Sequence, residues 1–357
     1  MKEKKKKFVW PKFCYNLEKI IIPIIVIFLS LSIGTIIIKV MGIDILLVYR
    51  IFFKGGSGSI GFIEETLVKA TPIILTGLSF AFAFRAGIFN VGAEGQLYMG
   101  GVLAALVGTS LQGLPMIIHL PLAIIAAFIG GGLWGLLAGW LKVKFGANEI
   151  ITTIMLNYVA INVASYLVHG PMRARDLLAT YPQGDAIANS AQLPLIFLSN
   201  RVHLGFIIAL ICLVIYYIFF RKTILGYEAR VTGQGMNVAK YAGINSARTT
   251  LFIMLICGGM AGLAGASEIL GVQKRFIERF SPGYGFDGIM VALAGMNSPF
   301  GIFLVAILFG ILRRGGNLMQ MFAGVPVQVI YIIQGLMVIF VVVGQRIKIK
   351  NKIIRLK

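Results

Sequence analysis

The chain has 357 residues, of which 58% are hydrophobic and 13% charged, and a formal net charge of +20. This composition excludes a soluble globular domain and suits a polytopic membrane protein, in which length is no guide to domain count. The basic excess borders apolar runs, in MKEKKKK at the start and RIKIKNKIIRLK at the finish; this points to cytoplasmic retention of Lys and Arg at span ends and away from a nucleic-acid partner.

Residues 1–19 read as a basic cytoplasmic tail, and 20–41 as an uncleaved first span, since its apolar run is too long for a signal peptide and no small-residue cleavage site follows. Against the roughly 20 residues that a helix needs to cross a bilayer, further spans are expected at 66–84, 91–111, 119–141, 149–168, 203–220, 249–270 and 325–343. The region 284–312 reads as two short pieces, 284–296 and 299–312, hinged at Asn297-Ser298-Pro299. The fold class is then an all-α polytopic membrane protein of about ten transmembrane helices over 20–343, with a basic cytoplasmic tail over 344–357. Both termini lie inside. Arg85, Lys142, Lys144, Arg221, Lys222, Arg230, Lys240 and Arg248 fall on inner connections as the charge rule requires, whereas Arg313 and Arg314 fall on the outer side against it.

Within the third run, RAGIFNVGAEGQLYMGG over 85–101 holds an arginine, an asparagine, a glutamate, a glutamine and five glycines. Lipid-facing helix does not tolerate that composition, so Glu94 should face protein or a wet path. Glycines 87, 92 and 95 permit a broken backbone, and a discontinuous helix lining a substrate route is expected. Asn90, Glu94 and Gln96 are its candidate pathway residues. Asn148, Glu149, Thr152, Thr153 and Asn157 share one helix face, which either bonds neighbouring helices or offers Asn157 to a polar solute; Glu149 reads as an ion partner beside Lys142 and Lys144. Gly131, Gly135 and Gly139, with Gly258 and Gly262, form stripes for tight helix crossing.

The outer loop 169–202, broken by Pro171, Pro182 and Pro194, is either a lid over the bundle or a docking surface. The inner connection 221–248 contains a short helix over Val238–Ala242, capped by Asn237 and ended by Gly243 in a left-handed conformation. Val238, Tyr241 and Ala242 would give it an apolar face for a soluble partner, unless the segment is an ordinary loop tucked under the bundle. Asp287 lies in GYGFDG, whose match to a dinucleotide fingerprint is accidental beside an apolar span. It either lines the route or sits at the outer interface in reach of water.

Two sets of five spans would place the Gly-rich third span of each half in opposite directions, the pattern of inverted halves with discontinuous helices around a route. No catalytic or metal set emerges. His119, His169 and His203 lack metal spacing, Cys14, Cys212 and Cys257 are scattered, and no phosphate loop is present.

FRAGIFNVGAEGQLYMGG, ANEIITTIMLNYVA, GYEARVTGQGMNVAKYAGI and GYGFDGIMVALAGMNSPFGIFLVAILFGIL resemble, in that order, the permease subunits of bacterial nucleoside ABC importers. These belong to the wider ribose and branched-chain amino acid permease family, and the resemblance runs from about Leu67 to Val343. It implies a non-enzymatic permease with no cofactor of its own. ATP and Mg would be held by a cytoplasmic ABC ATPase, with a second homologous permease alongside and an extracytoplasmic lipoprotein delivering the nucleoside. It further implies that Asn237, Val238, Lys240, Tyr241, Ala242 and Gly243 form the ATPase-coupling helix. A ribose-type importer and an ion-coupled secondary transporter using Glu94 or Asp287 are the alternative readings.

Overall fold

The computed structural model describes residues 29–30, 32–54, 60–174, 181–196 and 201–354. The tail 1–19, Cys14 and the early part of the expected first span lie outside the described residues. In chain order the elements are helical residues 32–40 (α1), α2 (Ile45–Lys54), α3 (Ile60–Arg85), α4 (Ala93–Ser110), α5 (Met116–Phe145), α6 (Glu149–His169) and β1 (Gln183–Ala186). A 3₁₀ turn (Asn189–Ala191), α7 (Gly205–Lys222), α8 (Ile224–Gln234), α9 (Met236–Tyr241) and α10 (Ser246–Ala266) with a π-helical continuation (Ser267–Gln273) come next. Then follow β2 (Arg275–Ile277), α11 (Tyr284–Ala294), α12 (Pro299–Ala323) and α13 (Gln328–Ile354).

Six of these, namely α3, α5, α6, α7, α10 with its continuation, and α12, are long and apolar enough to cross a membrane. The chain divides into two units, Met1–Phe53 with Gly316–Lys357, and Lys54–Gly315. In the first, the Thr35 and Tyr49 hydroxyls lie 2.6 Å apart, Ile38 and Val48 are buried, and a methyl at Gly34 would collide with Ile333.

The second unit is built around α10. Most of α3 and α10 is buried, whereas α5, α6 and α7 present Ile, Leu, Val and Tyr to their surroundings. In a lipid solvent no hydrophobic force holds helices together, so close backbone approach through small residues must do it. The expected glycine stripes serve this purpose: a methyl at Gly131 would overlap the Gly258 carbonyl, one at Gly262 the Ala127 carbonyl, and one at Gly139 would press on Met254. On its other side α10 meets α4 in the same way, where Gly100 abuts Gly262 and Gly265 abuts the Leu97 carbonyl. Cys212 and Cys257 are buried and unbridged.

Several boundaries differ from those read in the sequence. The break at 295–298 is where it was expected, with Met296 and Asn297 both left-handed at φ 54° and 51°. However, α12 does not stop at residue 312 but continues to Ala323, so Arg313 lies inside a helix and not at its end. Counting apolar runs ended the span at a charge that Asp287 neutralises. Helix α13 likewise continues to Ile354, into the basic segment. Helices α2 and α8 were not foreseen; α8 begins at Thr223, whose hydroxyl accepts the Gly226 N–H at 3.0 Å. Among the described residues of the connection 169–202, β1 pairs antiparallel with β2, Gln183 opposite Ile277, and Ile187, Ala191 and Leu193 are buried. His119 anchors it, with Nδ1 2.8 Å from Ser190 Oγ and Nε2 3.0 Å from Val107 O.

Candidate functional site

Between α3 and α4 the chain cannot stay helical. Gly87 adopts φ 75°, and a side chain there would meet Gly233 Cα at 3.0 Å. The backbone runs on irregularly to Gly92, which precedes α4 without a side-chain cap. A buried helix start leaves N–H groups that need acceptors from the protein. Helix α6 supplies them: Asn157 Oδ1 accepts the Gly95 N–H at 2.8 Å, its Nδ2 donates to Val91 O at 2.9 Å, and Thr153 Oγ1 accepts the Val91 N–H at 3.2 Å. Asn90 Oδ1 accepts the Gly92 N–H at 2.9 Å, and its amide donates to Gln96 Oε1 at 3.1 Å.

Helix α11 starts against the same place. Gly283 is left-handed at φ 93°, and Ser281 Oγ accepts the N–H groups of Gly283 and Tyr284 at 3.3 Å each. The next N–H, from Gly285, donates to Glu94 Oε2 at 2.7 Å. A Cβ on Gly285 would overlap the Glu94 backbone, so only glycine allows this approach. Glu94 also sits in the first turn of α4. One buried carboxylate therefore faces the positive ends of two helices.

On the far side of this turn Asp287 accepts from Arg313 Nε; the guanidinium also donates to Pro282 O at 3.1 Å and lies 4.9 Å from the Tyr284 ring centroid. Asp287 is thus buried and paired, which corrects the reading that placed it in reach of water at an interface. Thr76 Oγ1, 2.9 Å from Tyr284 O, ties α11 to α3. At its other end, Asn297 O accepts from Arg85 at 3.1 Å and from the Tyr216 hydroxyl at 2.8 Å.

Asn90, Glu94, Gln96, Asn157 and Asp287 are all buried, and the structure gathers them around the two helix starts. Each bonds to other protein groups. The sequence reading passed over Glu268, which is also buried, lies in the π-helical segment, and has Oε1 without a partner among the described residues. The signal was available: an acid inside the apolar run 249–270 merits the same question as Glu94. Arg313, discounted as a topological misfit, is the other residue that the sequence undervalued. Ahead of α7, His203 is buried and its Nδ1 accepts the Gly205 N–H at 3.2 Å.

At the end of α6 that Glu149 opens, Lys142 and Glu149 form an ion pair at 3.0 Å. The short helix of the inner connection exists as α9, with Gly243 left-handed at φ 70° as expected. Its start is different: Gly235 occupies the cap position and Asn237 lies inside the helix with no capping bond. The Asn237 cap is corrected accordingly, because α8 runs to Gln234 and leaves only Gly235 for the turn between them. Asn237, Val238, Lys240, Tyr241, Ala242 and Gly243 are exposed, Tyr241 by 94%, whereas Ala239 is fully buried and seats the helix on the unit.

Residues 62–342 match the family of branched-chain amino acid transport system permease components. The chain is 39% identical to the guanosine ABC transporter permease protein NupP of Bacillus subtilis over 91% of this chain and 94% of that one. It is 34% identical to the glucose ABC transporter permease protein TsgB13 of Haloferax volcanii, over 91% and 88% of the two chains. The nucleoside ABC transporter permease protein NupB of Lactococcus lactis is 33% identical over 91% of each chain. A second guanosine permease protein of Bacillus subtilis, NupQ, matches at 25% over 74% of this chain and 85% of its own. These relatives are transporter permeases and not enzymes, and the match spans α3 through most of α13: the chain belongs to the branched-chain amino acid transport system permease component family.

Proposed function

We propose that this chain is the permease subunit of an ATP-driven importer that carries nucleosides across the cytoplasmic membrane. The observation that carries this reading is the 39% identity to a guanosine permease over nearly the whole of both chains. The sequence carries no phosphate-binding loop, so its energy comes from elsewhere, and the likeness to ABC transporter permeases supports a separate cytoplasmic ATPase as the source. The match to both NupP and NupQ supports a second, homologous permease as partner, with an extracytoplasmic lipoprotein delivering the cargo and ATP and Mg confined to the ATPase.

Ten crossings follow if α11, 11 residues long and so about 16 Å, completes one crossing together with the irregular chain before it. Both termini are then cytoplasmic, with the permease domain over 20–343 between basic tails 1–19 and 344–357. Helices α4 and α11, each third in its half, start against one another, which suits inverted halves. Asn90, Glu94, Gln96, Asn157 and Asp287 act on the pathway by fixing this pair of helix starts. The exposed Val238 and Tyr241 side chains supply an apolar face for a groove in the ATPase, through which its closure on ATP turns the permease pair from inward to outward access.

The test is uptake of radiolabelled guanosine, adenosine, uridine, ribose and glucose by cells lacking this gene, with wild type or Tyr241→Asp restored. Nucleoside uptake that wild type restores and the variant does not is the expected result. Restoration of sugar uptake alone would assign the cargo to the class named for TsgB13, and a fully active variant would remove α9 from coupling.

A further inference from the structure

Where α6 meets the chain following β2, a hollow of about 40 Å³ is lined by Tyr98, Asn162, Ser165, Phe276, Glu278 and Arg279. Its Tyr98 lies one turn of α4 beyond Glu94, so the hollow adjoins the junction of α4 with α11. Glu278 is held from two sides, since its N–H donates to Pro182 O at 3.3 Å and its Oε1 accepts the Ser165 hydroxyl at 2.7 Å. Its Oε2 is 3.8 Å from His169 Nε2, too far for a hydrogen bond, and so keeps acceptor capacity. Arg279 takes φ 53° and Lys274 φ 54°, so non-glycine residues in the left-handed region bracket β2 and Glu278; strain of that kind collects at functional positions. Asn162 spends its Nδ2 on Tyr158 O at 2.8 Å, which leaves its Oδ1 as an acceptor.

The chemistry of the lining narrows the ligand. An acid beside a guanidinium suits a neutral group with hydroxyls and opposes a phosphate. The aromatic rings offer no platform for a base, because Tyr98 and Phe276 are buried and packed on Phe280 at 4.7 and 5.4 Å between centroids. The volume admits a pair of hydroxyls and no ring. We propose that Glu278, with Asn162 and Arg279 beside it, takes hold of the cis-diol of the ribose as a nucleoside passes along the permease. The assignment rests on the nucleoside reading above. A carboxylate accepting two hydroxyls gives orientation with weak overall affinity, as a route that must release its cargo requires.

The experiment uses proteoliposomes holding the whole importer, saturated with its binding protein, and reads guanosine or 2′,3′-dideoxyguanosine moved per ATP hydrolysed. Wild type is expected to favour guanosine by about five-fold, the worth of roughly one hydrogen bond. Glu278→Gln should bring the two within about two-fold while ATP hydrolysis persists, whereas Ser165→Ala should keep most of the preference. Asn162→Ala, on an exposed turn of α6, should lower the preference by about two-fold and serves if Glu278→Gln fails to assemble. Equal wild-type rates, a preference unchanged in Glu278→Gln, or both substrates and ATP hydrolysis falling together would overturn the proposal, the last showing Glu278 to be a structural pin. A wild-type importer that moves sugars but no nucleoside would overturn the nucleoside reading by itself; the same comparison between that sugar and its deoxy analogue then decides the role of Glu278.

Discussion

Glu94 and Gly285, 191 positions apart, are joined by a 2.7 Å hydrogen bond in which the carboxylate of one helix's first turn accepts from the first turn of another. Because both residues are buried, the Gly285 N–H needs an acceptor from the protein, and Glu94 supplies it where Ser281 is spent on Gly283 and Tyr284. The discontinuity of both helices is held at this bond.

Glu94→Ala is therefore expected to destabilise the detergent-solubilised protein by roughly 1–3 kcal/mol, the cost of an orphaned N–H, and to abolish uptake. Glu94→Gln keeps an acceptor and should recover part of the thermal midpoint. A Gln variant as unstable as the Ala variant would show that charge, not hydrogen bonding, holds the junction.

Removing one partner of the buried Asp287–Arg313 pair should cost about 3–5 kcal/mol, since the other charge is left without compensation. Asp287→Leu with Arg313→Met removes both charges and should be more stable than either single variant. A double-mutant cycle on thermal midpoints in detergent measures this; additive single effects would mean that the two side chains stabilise the protein independently.

At the crossing of α5 with α10 there is no room for added atoms. Gly131→Val and Gly262→Val should each prevent accumulation of folded protein in the membrane, as seen by detergent-resistant fluorescence of a fused reporter. Gly335→Ala is the control, because a methyl there meets nothing within 4 Å and should be neutral.

Much of this protein was legible in its sequence because the membrane imposes one rule, that apolar runs become helices with their backbone groups satisfied internally. That rule located the six long apolar helices, the break at Asn297-Ser298-Pro299, the glycine stripes and the left-handed Gly243, each a matter of local composition. Local composition also marked Glu94 and the helix face holding Asn157 as groups that could not face lipid. What it could not contain was their partners. Asp287 read as an exposed end, and Arg313 as an exception to the charge rule, until the hairpin of α11 and α12 folded them together and cancelled both charges. Glu268 was hidden inside an apolar run, and Asn237 read as a cap because the residues of α8, which leaves that role to Gly235, read as part of a connecting loop. Sequence determines which groups need satisfying; only the tertiary structure decides which distant group satisfies them, because burial makes each pairing obligatory without recording it in the neighbouring residues.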